Sequence, residues 1–86
     1  MNVLLTFETI SAALNCEGVF KKLRITCNVI PFPRKIGTSC NYAIATETDD
    51  VQDLCVMLKK NGAEYKKVFQ CVGKEFEEIF FIGEKL

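Results

Sequence analysis

Ile25-Thr26-Cys27-Asn28-Val29-Ile30 and Asn41-Tyr42-Ala43-Ile44-Ala45-Thr46, separated by Pro31-Phe32-Pro33-Arg34-Lys35-Ile36-Gly37-Thr38-Ser39-Cys40, decide the reading of this chain. The first run alternates apolar and polar side chains. Ile25, Cys27 and Val29 share one face, which predicts a strand covered on one side and wetter on the other. The second run puts Tyr42, Ile44 and Thr46 on one side and Ala43 and Ala45 on the other, a strand whose small face suggests a helix packed close above it. Two strands joined by a stiff loop therefore occupy the middle of the sequence.

Outward from this pair, each flank supplies one helix and one strand. Upstream, residues 2–7 form a short apolar run that reads as a buried first strand, and Ile10, Ala13, Leu14, Glu17, Phe20 and Lys21 recur at helical spacing over residues 9–23. Thr6, Glu8, Thr9 and Ser11 are candidate N-caps, while Glu8 at the start and Lys21, Lys22 and Arg24 at the end complement the helix dipole. Downstream, Asp49 with Gln52 three residues on resembles a capping box ahead of Val51, Leu54, Cys55 and Leu58, and Asn61-Gly62 closes that helix. Residues 64–72 mix Tyr65, Val68, Phe69 and Val72 with Lys66, Lys67 and Gln70, which predicts a strand at a sheet edge.

The resulting order, β-α-β-β-α-β, is the ferredoxin-like arrangement: an α+β sandwich with a four-stranded antiparallel sheet and both helices on one face. Residues 1–72 make that domain. Residues 73–86 are an apolar C-terminal extension in which Phe76-Glu77-Glu78-Ile79-Phe80-Phe81-Ile82 holds three Phe and two Ile. Phe76, Ile79 and Phe80 have helical spacing, whereas residues 79–82 suit a short strand. The extension is expected to pack on the sheet or on a second subunit. A sheet face without helices needs cover, and a homodimer would supply it.

Composition narrows the function classes. The chain has 86 residues, 49% hydrophobic and 26% charged, as in an ordinary globular domain. Eleven basic residues balance eleven acidic ones, which removes the electrostatic footprint of a nucleic-acid binder or a polybasic membrane anchor. The first residues have no cationic leader, and no segment reaches the roughly 20 apolar residues that span a bilayer. Five cysteines without a secretion signal read as reduced thiols in a cytoplasmic protein. There is no histidine and no C-x-x-C pair, so histidine-assisted nucleophiles, zinc ribbons and thioredoxin-type motifs are not supported, and no metal or bound cofactor is expected.

The loop before Cys40 carries the chemistry. Pro31 and Pro33 stiffen it, Gly37 permits a turn, and Arg34 and Lys35 place cations upstream of a thiol, where a neighbouring cation favours thiolate. In a β-α-β-β-α-β order the loop lies at the end of the sheet where the first helix begins. Cys40 is then expected to face that helix N-terminus, around Thr9, whose partial positive charge suits a thiolate or persulfide. Ser39 is either a hydrogen-bond donor to the sulfur or a turn-stabilising hydroxyl. Cys40 itself is either an activated thiol or an ordinary loop thiol with a pKa near ~8.5. Cys16, Cys27 and Cys55 fall on apolar stripes and read as packing residues, and Cys71 is assigned a structural role.

Residues Val29-Ile30-Pro31-Phe32-Pro33-Arg34-Lys35-Ile36-Gly37-Thr38-Ser39-Cys40, with Ser11-Ala12-Ala13-Leu14, Ala43-Ile44-Ala45 and Leu58-Lys59-Lys60-Asn61-Gly62, resemble the selenium/sulfur carrier-like family, small bacterial proteins otherwise described as a domain of unknown function. The resemblance covers roughly residues 3–72, and Pro-Arg-x-Ile-x-x-Ser-Cys is its specific part. It implies that Cys40 is the carrier thiol, with Arg34 and Ser39 as its neighbours. Gly37 stands where the family often has Ser, and Asn41 where Gly is common after the Cys.

These readings converge on a small sulfur or selenium carrier. Cys40 would accept the chalcogen as a transient persulfide-type adduct, Arg34, Ser39 and Thr9 would stabilise its anion, and donor and acceptor proteins would be the partners. The alternative is a non-catalytic interaction or regulatory module that self-assembles or binds a client through its sheet face or edge. Independent enzymatic turnover, such as thiol oxidoreduction, ranks third because no resolving cysteine lies nearby in sequence.

Overall fold

The computed structural model of the chain describes residues 2–31 and 42–79. They form β1 (Val3–Thr6), α1 (Ile10–Lys22), β2 (Cys27–Pro31), β3 (Tyr42–Thr46), α2 (Val51–Lys60), β4 (Lys67–Val72) and β5 (Glu75–Glu78). The strands make one sheet in the order β2-β3-β1-β4-β5, with every neighbouring pair antiparallel. The protein is thus an α+β structure with two helices and five strands, not the four strands expected.

The additional strand follows from a turn that the sequence reading passed over. Val72 pairs with Glu75, so Gly73 and Lys74 alone make the hairpin turn, and Gly73 has φ +61°. Glycine at the first central position suits a two-residue hairpin. After the turn, Phe76 alternates with glutamates and opposes Cys71 across the ladder. The helical spacing of Phe76 and Ile79 is therefore not used. Ile79 donates its backbone N–H to Val68 O at 2.8 Å and packs on the core. The later part of the tail, residues 80–86, lies outside the described residues.

β5 also corrects the place of β4, which lies between β1 and β5 rather than at an edge. The polar side chains that suggested an edge have cross-strand neighbours: Lys67 Nζ lies 4.0 Å from Glu78 Oε1, and Gln70 opposes Glu77.

Both helices pack on the same side of the sheet. Ala13, Cys16, Val19 and Phe20 of α1 and Leu54, Cys55 and Leu58 of α2 share one core with Val3, Leu5, Ile44 and Val68. Ile25, Cys27 and Val29 lean on that core, as their alternation predicts. Ala43 and Ala45 do not lie beneath a helix. They join Leu4 and Phe69 in a second cluster on the opposite face, flanked by Ile30 and Phe76, where small side chains leave room for their larger neighbours. These four residues are at most 7% exposed in the single chain, so the centre of this face is shielded from solvent without a second copy.

The helix ends explain the shortened strands. α1 finishes at Lys22 with Leu23 as C-cap; Arg24 N–H then bonds Lys21 O at 3.1 Å and Ile25 N–H bonds Phe20 O at 2.9 Å. This is a Schellman motif, and it places Arg24 in the left-handed region at φ 60°. Ile25 and Phe20 meet in the core, the apolar contact that accompanies such a cap. Residues 24 and 25 therefore belong to the cap, and β2 starts at Cys27. α2 ends the same way, with Gly62 N–H to Lys59 O at 3.1 Å and Ala63 N–H to Leu58 O at 3.0 Å, but there Gly62 takes the positive φ of 86°. The N-cap of α2 is Asp50, whose carboxylate accepts from Asp53 N–H at 3.0 Å.

Candidate functional site

Of the residues singled out in the sequence, Cys40, Arg34 and Ser39 lie outside the described residues, and Thr9 lies within them. The frame around the loop is defined. Pro31 opposes Tyr42 across the β2–β3 ladder, so residues 32–41 leave and rejoin the sheet at adjacent positions. The next residue of β3, Ala43, opposes Thr6 at the end of β1. Three residues after Thr6 stands Thr9, and α1 begins directly after it. The two ends of the loop and the start of α1 therefore share one end of the sheet.

Thr9 is the N-cap of α1. Its backbone is extended, its hydroxyl oxygen accepts from Ala12 N–H at 3.1 Å, and its carbonyl accepts from Ala13 N–H at 3.2 Å. Capping satisfies only one of the orphan donors of a helix start; the earlier N–H groups have no intrahelical acceptor. The first turn of α1 has no acidic residue. Glu8, just outside the helix, pairs with Lys66 at 3.6 Å. The positive end of the helix dipole thus has no carboxylate inside its own first turn, a setting that favours an anion.

Thr6, one of the candidate caps, is instead part of β1 and 1% exposed. Its carbonyl accepts from Lys66 N–H at 2.7 Å and its hydroxyl from Lys67 N–H at 3.1 Å, which ties the start of β4 to this end of the sheet. The spacing of polar residues before α1 could not separate Thr6 from Thr9. The distinction needed the strand register.

The described cysteines are poor nucleophiles or ordinary packing groups. Cys16 and Cys55 are 0% and 1% exposed in the helix-side core. Burial, reinforced by the neighbouring thiols of Cys27 and Cys55, pushes the Cys16 pKa up to about 12. Cys27, half-buried in β2, is also raised, first by burial and then by Glu17, with Lys21 opposing. Cys71 is half-buried beside Phe76 on the other face.

A groove of about 440 Å³ opens at the opposite end of the sheet, between Thr26–Asn28 and Ala45–Asp49. It is lined by hydroxyls, the Cys27 thiol and the Glu47 and Asp49 carboxylates, and the sequence reading did not single it out. At the end of α2, Lys59 Nζ lies 4.8 Å from the centre of the Tyr65 ring beside a shallower depression. Among the described residues, no group of three or more acidic or cysteine side chains is arranged to hold a metal ion, and no helix is long and apolar enough to cross a membrane.

The family described as "Putative Se/S carrier protein-like" matches residues 2–70, most of the chain, and the chain belongs to it. No curated protein and no solved structure matches the chain.

Proposed function

We propose that this member of the Se/S carrier-like family holds sulfur or selenium on the thiol of Cys40 and passes it between partner proteins. Family membership carries this reading, and the shared position of the loop ends and the α1 N-terminus supports it. The arrangement reads as ferredoxin-like with one added edge strand, since β2-β3-β1-β4 and two helices on one face follow that plan.

In the sulfur case, the Cys40 thiolate attacks the outer sulfur of a persulfide on a donor protein. The donor S–S bond breaks, its electron pair leaves with the donor thiolate, and a persulfide remains on Cys40. Release to an acceptor thiolate repeats the exchange, so the sulfur changes carrier with no external oxidant or reductant. Arg34 and Ser39 are assigned to the anion, and the start of α1 around Thr9 contributes its dipole. The donor and acceptor proteins are the partners, and a cytoplasmic setting keeps the thiol reduced. Assembly through the sheet face is the weaker reading, because Leu4, Ala43, Ala45 and Phe69 are already shielded in one chain.

Alkylation rates of each cysteine, followed against pH by mass spectrometry on native protein and on Cys40→Ser, test the proposal. Cys40 is expected to react fast well below pH ~8.5, the value of a free thiol, while Cys16 and Cys55 lag. Rates at Cys40 that follow an ordinary exposed thiol would remove the chemical basis of the carrier role.

A further inference from the structure

We infer that the outer edge of β2 docks an extended segment of a partner protein, paired antiparallel to Cys27–Pro31, whose C-terminal end places a basic side chain in the groove beside Glu47 and Asp49. The inference deepens the carrier reading by giving the partner a chemistry, and it rests on that reading only for the partner's role as donor or acceptor.

The two sheet edges differ in kind. Among the described strands, β2 and β5 each have one neighbour. β5 presents three glutamates in four residues, Glu75, Glu77 and Glu78, and charge on an edge discourages another strand from adding to it. β2 reads Cys-Asn-Val-Ile-Pro, with no charge. Its side chains are half-buried at Cys27, Val29 and Ile30, so a docked strand would find a partly apolar rail on each face. Pro31 has no N–H to offer, which limits the ladder to its first four residues and sets its register.

Direction follows from the groove. β2 runs from the groove end, at Cys27, toward the loop end, at Pro31. An antiparallel segment runs the other way and delivers its C-terminal residues to Glu47 and Asp49. An edge of five residues spans about 17 Å, a contact at the small end for protein complexes. Backbone pairing with one charged anchor gives weak, releasable binding, as a carrier serving two partners requires. A second copy offers less: β2 against β2 brings no cation to the groove from within the strand.

The test is an NMR titration of the ¹⁵N-labelled full chain with the blocked peptide Val-Thr-Val-Thr-Lys-Lys, taken to about 1 mM, enough to half-fill a millimolar site. Shifts and slowed exchange are expected at residues 27–30 and 46–49, with residues 75–78 unmoved. Glu47→Lys combined with Asp49→Lys, both at exposed positions, should weaken this peptide about three- to tenfold and leave the Gln-Gln version of it unchanged. Unshifted Leu5 and Val68 amides verify that the variant is folded. No shift at β2, binding along β5 instead, or protection of β2 that grows with protein concentration alone would overturn the inference, the last by showing a second copy in the same place. Cys40 alkylation on the same sample reports the carrier reading separately, so each can fail without the other.

Discussion

The side-chain amide of Asn2 grips the backbone of Thr48 at both of its polar ends, donating from Nδ2 to Thr48 O at 2.8 Å and accepting from Thr48 N–H at 3.0 Å. The backbone of Asn2 is also engaged, with its N–H on Thr46 O at 3.1 Å and its carbonyl accepting from Cys71 N–H at 2.9 Å. One residue therefore ties together the start of β1, the exit of β3 and the end of β4.

Asn2→Ala removes both side-chain bonds and leaves a part-buried backbone pair without partners, so a loss of about 1–3 kcal/mol is expected in urea unfolding. Asn2→Asp keeps only the acceptor and should fall between wild type and Ala. A midpoint unchanged by Asn2→Ala would mean that the backbone bonds alone fix this corner.

The two helix C-termini give a paired prediction. Arg24→Gly relieves a left-handed non-glycine residue and should raise stability by about 0.5–1 kcal/mol, read as a higher thermal midpoint. Gly62→Ala should lower it by about 1 kcal/mol. A Cβ at Gly62 meets nothing within 4 Å, so that loss would come from the backbone angle and not from a clash.

Thr9→Ala should cost about 1 kcal/mol through loss of the α1 cap, and Thr9→Ser should restore most of it. Cys40 alkylation measured on the same pair separates capping from thiolate support. If both variants leave the Cys40 rate at its wild-type value, the start of α1 has no part in its chemistry.

The Cys16 thiol links stability to alkaline pH. Its folded pKa of about 12 lies above the model value of 9.0, so the folded chain holds the proton more tightly than the unfolded one. That contribution is complete below pH 9.0 and is lost as pH rises toward about 12. Cys16→Ala creates a core cavity and should be less stable at neutral pH. The gap from wild type should narrow between pH 9.0 and the highest pH at which refolding stays reversible, because only wild type carries the linkage. A gap constant with pH would place the thiol in a more polar setting.

Elements with a single dominant pattern were legible in the sequence. The alternation of Ile25, Cys27 and Val29 gave the buried side of β2, and Asn61-Gly62 gave the end of α2. Arg24 was not legible as a left-handed residue, because the cap that holds it depends on Ile25 reaching Phe20 in the core. β5 escaped because Phe76 and Ile79 fit a helix as well as a strand, and only pairing with β4 separates the two. The sides of Ala43 and Ala45 were inverted for a related reason: alternation distinguishes two faces but does not say which one the helices take. At the candidate site, the helix start was readable from Thr9. Its relation to the loop came from ladder register, which couples residues far apart in sequence.

All four residues of β1 are buried, and β1 pairs with β3 on one side and β4 on the other. On the ribosome this strand is made before either neighbour, and the second of them starts only at Lys67. A nascent chain short of that point holds an apolar strand with an open flank, so productive folding must wait for long-range closure rather than proceed segment by segment. Synthesis pauses or truncations between β3 and β4 would therefore leave the species most prone to aggregate and most in need of a chaperone.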